Sequence, residues 1–187
     1  MTQDARLYFR HVRNAGVKVI NIDNVITEDD YELVDGIIAS DNTQLGYLSG
    51  QWVAENHPDG ANVLVVHLQT AESCIINVDG FWKGIKDNTE NAEAFKEVQV
   101  VEGEGSTETS FNVVSDALQA HDDIDVIYCI NDTSALGAVQ AVEDAGKTGQ
   151  IDIHWKDGSA YWKGMQSKME LWFRHLHKDL PIWDILE

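Results

Sequence analysis

Several things are scarce in this 187-residue chain. It has two cysteines, Cys74 and Cys129, and Cys129 lies inside an apolar run, so there is neither a disulfide framework nor a cysteine metal spacing. Cations are few: 13 Lys and Arg stand against 32 Asp and Glu, a formal charge of -19. Phosphate backbones are gripped mainly by cationic side chains, so a nucleic-acid surface is excluded as a reading. An acid excess of this size suits a neutral or cationic ligand, and it also marks surfaces kept soluble in strong salt. No apolar run reaches the roughly 18 residues that cross a bilayer, which argues against stable membrane insertion. The opening TQDARLYFRHVRNAG shows neither an apolar h-region nor a small-residue cleavage site, so the chain as written reads as carrying no export signal.

What is present is an alternation of strand-like and helix-like segments. Residues 4–14 read as a helix stopped at Gly16, and VKVINID, 17–23, as a buried strand closing on Asp23. A short extended piece at 36–39 leads through Ser40-Asp41-Asn42 into a helix with Leu45, Leu48 and Trp52 inward. Strands are predicted at NVLVVHL from Asn62, at 95–101, at 126–130 and at 151–155; helices lie around 80–86 and over 108–121. The clearest segment is VIYCINDTSALGAVQAVEDAGK, 126–147. Its strand runs into Asn131-Asp132 and at once into a helix with Ala135, Leu136, Val139 and Val142 on one face, Asp132 or Thr133 as N-cap and Gly146 as its stop. Strand, helix, strand order predicts an α/β fold, a three-layer Rossmann-like parallel sheet with helices on both faces. In such sheets ligands bind outside the carboxyl ends of strands, where an Asn can donate and accept hydrogen bonds. Asn131 is therefore a candidate ligand contact, with helix capping as the competing use.

Composition breaks near residue 154. Residues 1–153 hold 8 of the 13 cations and 27 of the 32 acids, whereas 154–187 hold five of each and four of the six tryptophans. The segment 158–187 reads as an atypical tail.

Three motifs in order, VKVINID, IIASDNTQLGYLSGQWVAE and VIYCINDTSALGAVQAVEDAGK, resemble the type I sugar-binding proteins of ABC transporters, the periplasmic ribose- and galactose-binding class. Effector domains of Lac-repressor-type regulators share that fold. The resemblance implies two α/β lobes with a ligand between them: 1–40 as a remnant of the N-terminal lobe, and 41–157 as the C-terminal ligand-binding lobe. Set against that plan the chain begins partway through the first lobe, without the aromatic residues that stack on a sugar ring. The resemblance puts Asp23, Asn131 and Asp157 at ligand-binding positions. It also puts Asn24 and Asn77 where many members carry Arg, and Lys156 where they carry an apolar residue. What it implies is a solute-binding component, not an enzyme, that takes a sugar or polyol, meets an ABC permease in the intact protein and works in the periplasm or outside the cell. A regulator's effector domain is the alternative.

Other chemistries fare worse. Gly103 and Gly105 in VVEGEGSTE imitate a dinucleotide fingerprint, but Glu108 takes the third glycine's place and Glu102 and Glu104 would repel a pyrophosphate. None of the seven histidines forms a zinc spacing with the cysteines, and His67, His11, His57 and His121 read as core or capping residues. Ser73 and Ser134 lack a nucleophile-elbow setting. No cofactor, metal or catalytic residue is expected.

Overall fold

The computed structural model describes residues 3–23, 26 and 28–157; the 158–187 tail and Asn24 lie outside them. Helix α1 (Gln3–Asn14) precedes β1 (Ile20–Ile22), and a 3-10 turn (Glu28–Leu33) leads to β2 (Gly36–Ile38). Then follow α2 (Asn42–Asn56), β3 (Asn62–His67), α3 (Glu72–Asn88), β4 (Lys96–Glu102), α4 (Thr107–Ala120), β5 (Val126–Cys129), α5 (Asp132–Asp144) and β6 (Asp152–Trp155). The last four strands form one sheet in the order β4-β3-β5-β6, every pair parallel.

Strand β3 is central and buried on both sides, so its alternating side chains feed two cores. Val63 and Val65 point with Tyr128 into a layer closed by Val53 of α2 and Phe81 and Ile85 of α3. Leu64 and Val66 point with Ile127 and Cys129 into the opposite layer, closed by Val114 and Leu118 of α4 and Val139 and Val142 of α5. This is the expected three-layer α/β arrangement.

Helices α2 and α3 touch backbone to backbone. Each carries a Gly-x3-Gly pair, Gly46 with Gly50 and Gly80 with Gly84. A Cβ on Gly46 would stand 1.9 Å from the Asn77 carbonyl oxygen, and one on Gly50 1.9 Å from that of Phe81. Reciprocally, Gly80 and Gly84 face the Thr43 and Tyr47 carbonyls at 2.3 and 2.1 Å. The buried face of α2 is accordingly Gly46, Gly50, Val53 and Ala54, while Leu45, Leu48 and Trp52, expected inward, are only partly covered. Hydrophobic periodicity does not detect a helix face made of glycine.

Three other expectations need correction. Only Ile20–Ile22 of VKVINID pairs, and far from being buried, Ile20 and Ile22 are 58% and 67% exposed. Among the described residues β1 pairs only with β2, and two strands of three residues cannot cover both of their faces. Helix α3, expected around 80–86, runs from Glu72 to Asn88, so Asn77 lies inside it. The N-cap of α5 is Asn131, not Asp132 or Thr133. Its end is as expected, with Gly146 at φ +67 just past the last turn.

Candidate functional site

Because the four strands are parallel, their carboxyl ends share one edge of the sheet, and that edge carries His67 at the end of β3 and, in the loops, the turn 103–106, Asn131 and Asp157. At this edge Asn131 uses its two amide atoms differently. Its Oδ1 accepts the backbone N–H of Ser134 at 2.8 Å and the Thr133 hydroxyl at 3.0 Å, completing the cap of α5. Its Nδ2 donates to no described residue and lies against Gly105, where an added Cβ would be 3.1 Å away. Gly105 has φ +63, so a backbone turn with no side chain borders that amino group. The cap thus uses only the oxygen of this amide and leaves its amino group to other partners.

Asp157 stands two residues beyond β6, with its carboxylate near enough to the Asp132 backbone N–H at the start of α5 for that N–H to favour its charged form. Desolvation raises the pKa of this carboxyl above the ordinary value, and the charges of Asp132 and Asp23 raise it further; Lys156 and the Asp132 N–H pull it back. The Asp23 carboxylate is thereby within electrostatic reach of Asp157. Asp23 itself is exposed, follows β1 with φ +74 and donates its N–H to the Ile38 carbonyl at 2.8 Å. Three carboxylates, those of Asp23, Asp132 and Asp157, therefore share one electrostatic neighbourhood beside the Asn131 cap.

Asn77 is elsewhere. It is fully buried between α2, α3 and β5, donates through Nδ2 to the Asn42 carbonyl at 3.1 Å and accepts the Tyr128 hydroxyl at 2.7 Å. Both of its amide atoms are thus engaged within the protein, and it has no exposed surface in this arrangement. Burial pushes the Tyr128 phenol far above its ordinary range, so it acts as a neutral donor. Asn24 is outside the described residues.

Two residues at this edge were not singled out as ligand contacts from sequence. Asp132 is 9% exposed, and no spacing rule separates it from an ordinary first-turn acid. His67 ends β3, and burial holds its imidazole below the usual range against the pull of Glu102. Its place as the last polar residue of an apolar strand was the available signal. Glu102 accepts the Gln69 N–H at 3.0 Å and so ties together the loops after β3 and β4. Among the described residues no three His, Cys, Asp or Glu side chains converge as a metal site, and no helix is long and apolar enough to cross a membrane.

Comparison with known proteins decides the family. The periplasmic binding protein domain matches residues 7–166, a segment that contains the whole carboxyl edge. The chain belongs to that family. This periplasmic binding protein domain is 30% identical over 143 residues to the D-ribose/D-allose-binding protein of Pseudomonas aeruginosa, covering 75% of this chain and 44% of the relative. It is 29% identical over 134 residues to the ribose import binding protein of Salmonella typhimurium, covering 71% and 43%. Among solved structures it superimposes with a TM-score of 0.77 on the periplasmic binding protein of the arabinose ABC transporter from Shewanella sp. ANA-3, bound to L-arabinofuranose. There the identity is 28%, with 85% of this chain and 53% of that one covered. The domain thus spans less than half the length of these curated relatives.

Proposed function

We propose that this domain is the ligand-binding part of a solute-binding component that delivers a sugar or related polyhydroxylated molecule to an ABC importer. Residues 41–157 serve as one lobe, and 1–40 contribute to a second. The observation that carries the reading is the meeting of two groups at the start of α5: the Asn131 amide, whose oxygen alone is used by the cap, and the Asp157 carboxylate, which lies near the Asp132 backbone N–H. Adjacent hydroxyls each need a donor and an acceptor, and groups anchored at strand ends supply them without reorganising. Asp23, from beyond β1, adds a further acceptor. The names of the relatives, for ribose, allose and arabinose, point to the same ligand class. No chemical step is required. Ligand held between lobes favours the closed form, and the partner permease reads that form, so the work is differential affinity between two states. Such a component acts in the periplasm or outside the cell.

The test is a chimera that joins residues 41–157 to the complementary lobe of the Pseudomonas aeruginosa relative, titrated by calorimetry with D-ribose, D-allose and L-arabinose. Micromolar binding of at least one is expected. Asn131→Asp, which keeps an oxygen to cap α5 but removes the Nδ2 donor, should weaken it at least tenfold. A folded chimera that binds none of the three sugars, or is indifferent to Asn131→Asp, refutes the proposal.

A further inference from the structure

Strand β6 directs alternate side chains to the two helical layers. Ile153 and Trp155 pack with the α4 and α5 core, whereas His154 lies against Trp52 of α2, the rings tilted at 45° with centroids 4.3 Å apart. Lys156 continues the second series. Its Nζ donates to the Asn42 Oδ1 at 3.1 Å. Lys156 is also the one Lys or Arg among the described residues that directly follows the carboxyl end of a strand in this sheet.

Its partner is firmly anchored. Asn42, 6% exposed, opens α2; its carbonyl accepts from Asn77, and Asn77 accepts from Tyr128 in the core. The Asn42 Nδ2 reaches back to the Ser40 carbonyl at 3.2 Å, and its N–H donates to the same oxygen at 2.9 Å. Asn42 thus gathers the segment through which the chain passes from β2 into α2. Lys156 grips it from the end of β6, one residue before Asp157, whose carboxylate senses Asp23.

We propose that Lys156 is a positioning residue that locks the segment entering the four-stranded sheet, 40–42, to the segment leaving it, 156–157, so that the two move as one. For its role in closure this rests on the two-lobe reading proposed above; the lock itself does not. With the lock made, Asp157 keeps its place near the start of α5 while the connections bend. Without it, each connection moves separately and the acceptor no longer has a fixed place relative to Asn131.

Amide hydrogen exchange on the 187-residue chain, followed by NMR, tests the lock. The amides of Asn42, Gln44 and Leu45 are hydrogen-bonded to Ser40 and Asp41 and report the start of α2. Lys156→Met should speed their exchange about tenfold and leave Val63, Val65 and Val66 in β3 unchanged, while Lys156→Arg restores protection. Asn42→Ala removes the same bond from the other side and should speed Gln44 and Leu45 equally, and it serves if Lys156→Met fails to fold. Wild-type exchange rates at the start of α2 in a folded Lys156→Met or Asn42→Ala protein would overturn the proposal, as would Lys156→Arg behaving like Lys156→Met. No sugar enters this experiment, so the lock stands or falls on exchange rates alone, separately from whether the chimera binds.

Discussion

Asn77 and Tyr128 meet across the α3–β5 interface, the phenol donating to the Asn77 Oδ1 at 2.7 Å with both residues fully buried. The pair satisfies two polar groups in the middle of an apolar layer, with Phe81 stacked on Tyr128 at a centroid distance of 4.1 Å. Tyr128→Phe keeps the stacking and strands the amide oxygen. Leaving a buried acceptor unsatisfied costs about 1 to 3 kcal/mol, so the urea unfolding free energy should fall by that amount. An unchanged unfolding curve would mean that the amide finds another partner.

The glycine contact between α2 and α3 has a sharper consequence. A methyl at Gly50 would overlap the Phe81 carbonyl, which is backbone and cannot rotate away. Gly50→Ala should cost about 3 kcal/mol, the upper part of the usual range for overpacking. Gly36 has open space around it, and Gly36→Ala should stay within about 0.5 kcal/mol. Comparing the two midpoints in thermal melts checks the contact directly.

Acid should weaken the fold well above the carboxylate range. Burial brings the His154 imidazole down to about 4 from an ordinary 6.5. Below pH 6.5 the unfolded chain takes up a proton that the folded chain refuses, so stability falls from there until the folded value near 4 is passed. The difference of about 2.5 units corresponds to roughly 3 kcal/mol. His67 is shifted in the same direction, while the raised Asp157 carboxyl works in the opposite sense. Asp152, held low by its bond to His57, contributes only below its unfolded value of 3.8. Urea midpoints should therefore drop between pH 7 and pH 4, and His154→Phe should flatten that slope. A flat wild-type profile would show that His154 is not buried neutral.

Capping and ligand binding can be separated at Asn131. Asn131→Ala removes the cap acceptor and should cost about 1 kcal/mol of stability. Asn131→Asp keeps the acceptor, places a negative charge at a helix N-terminus and should hold stability within about 0.5 kcal/mol. Chemical denaturation of the two variants distinguishes them, and equal losses would show that the N-cap bond contributes nothing.

On the two-lobe reading proposed above, the described residues at the carboxyl edge supply a ligand's partners chiefly from one side. A hydrogen bond to a charged group is worth about 1.5 to 3 kcal/mol, so the lack of two such partners from an opposing lobe amounts to about 4 kcal/mol, roughly a thousandfold. D-Ribose should bind the 187-residue chain about a thousand times more weakly than it binds the chimera. Comparable affinities in calorimetry would place the whole site within this chain.

Much of this architecture was legible without coordinates. The run from Asn62 reads as a strand, and Ala135, Val139 and Val142 with Gly146 behind them read as an amphipathic helix with a defined stop, because local pattern and backbone chemistry govern both. Order along the chain then implied parallel pairing, and parallel pairing placed Asn131 at a carboxyl end. Tertiary structure decided what depends on neighbours distant in sequence. VKVINID has the composition of a core strand, yet Ile20 and Ile22 are exposed, since burial is a property of what packs on a strand and not of the strand. Asn77 occupies a position that the resemblance assigns to a ligand contact, yet Asn42 and Tyr128, 35 and 51 residues away, take up its amide. The inward face of α2 is set by glycines because the backbone of α3 comes to rest on it, and Lys156 acts on Asn42 across 114 residues of chain. Hydrophobic pattern specifies which elements form; the contacts that assign a polar side chain to core or crevice are made only once those elements pack.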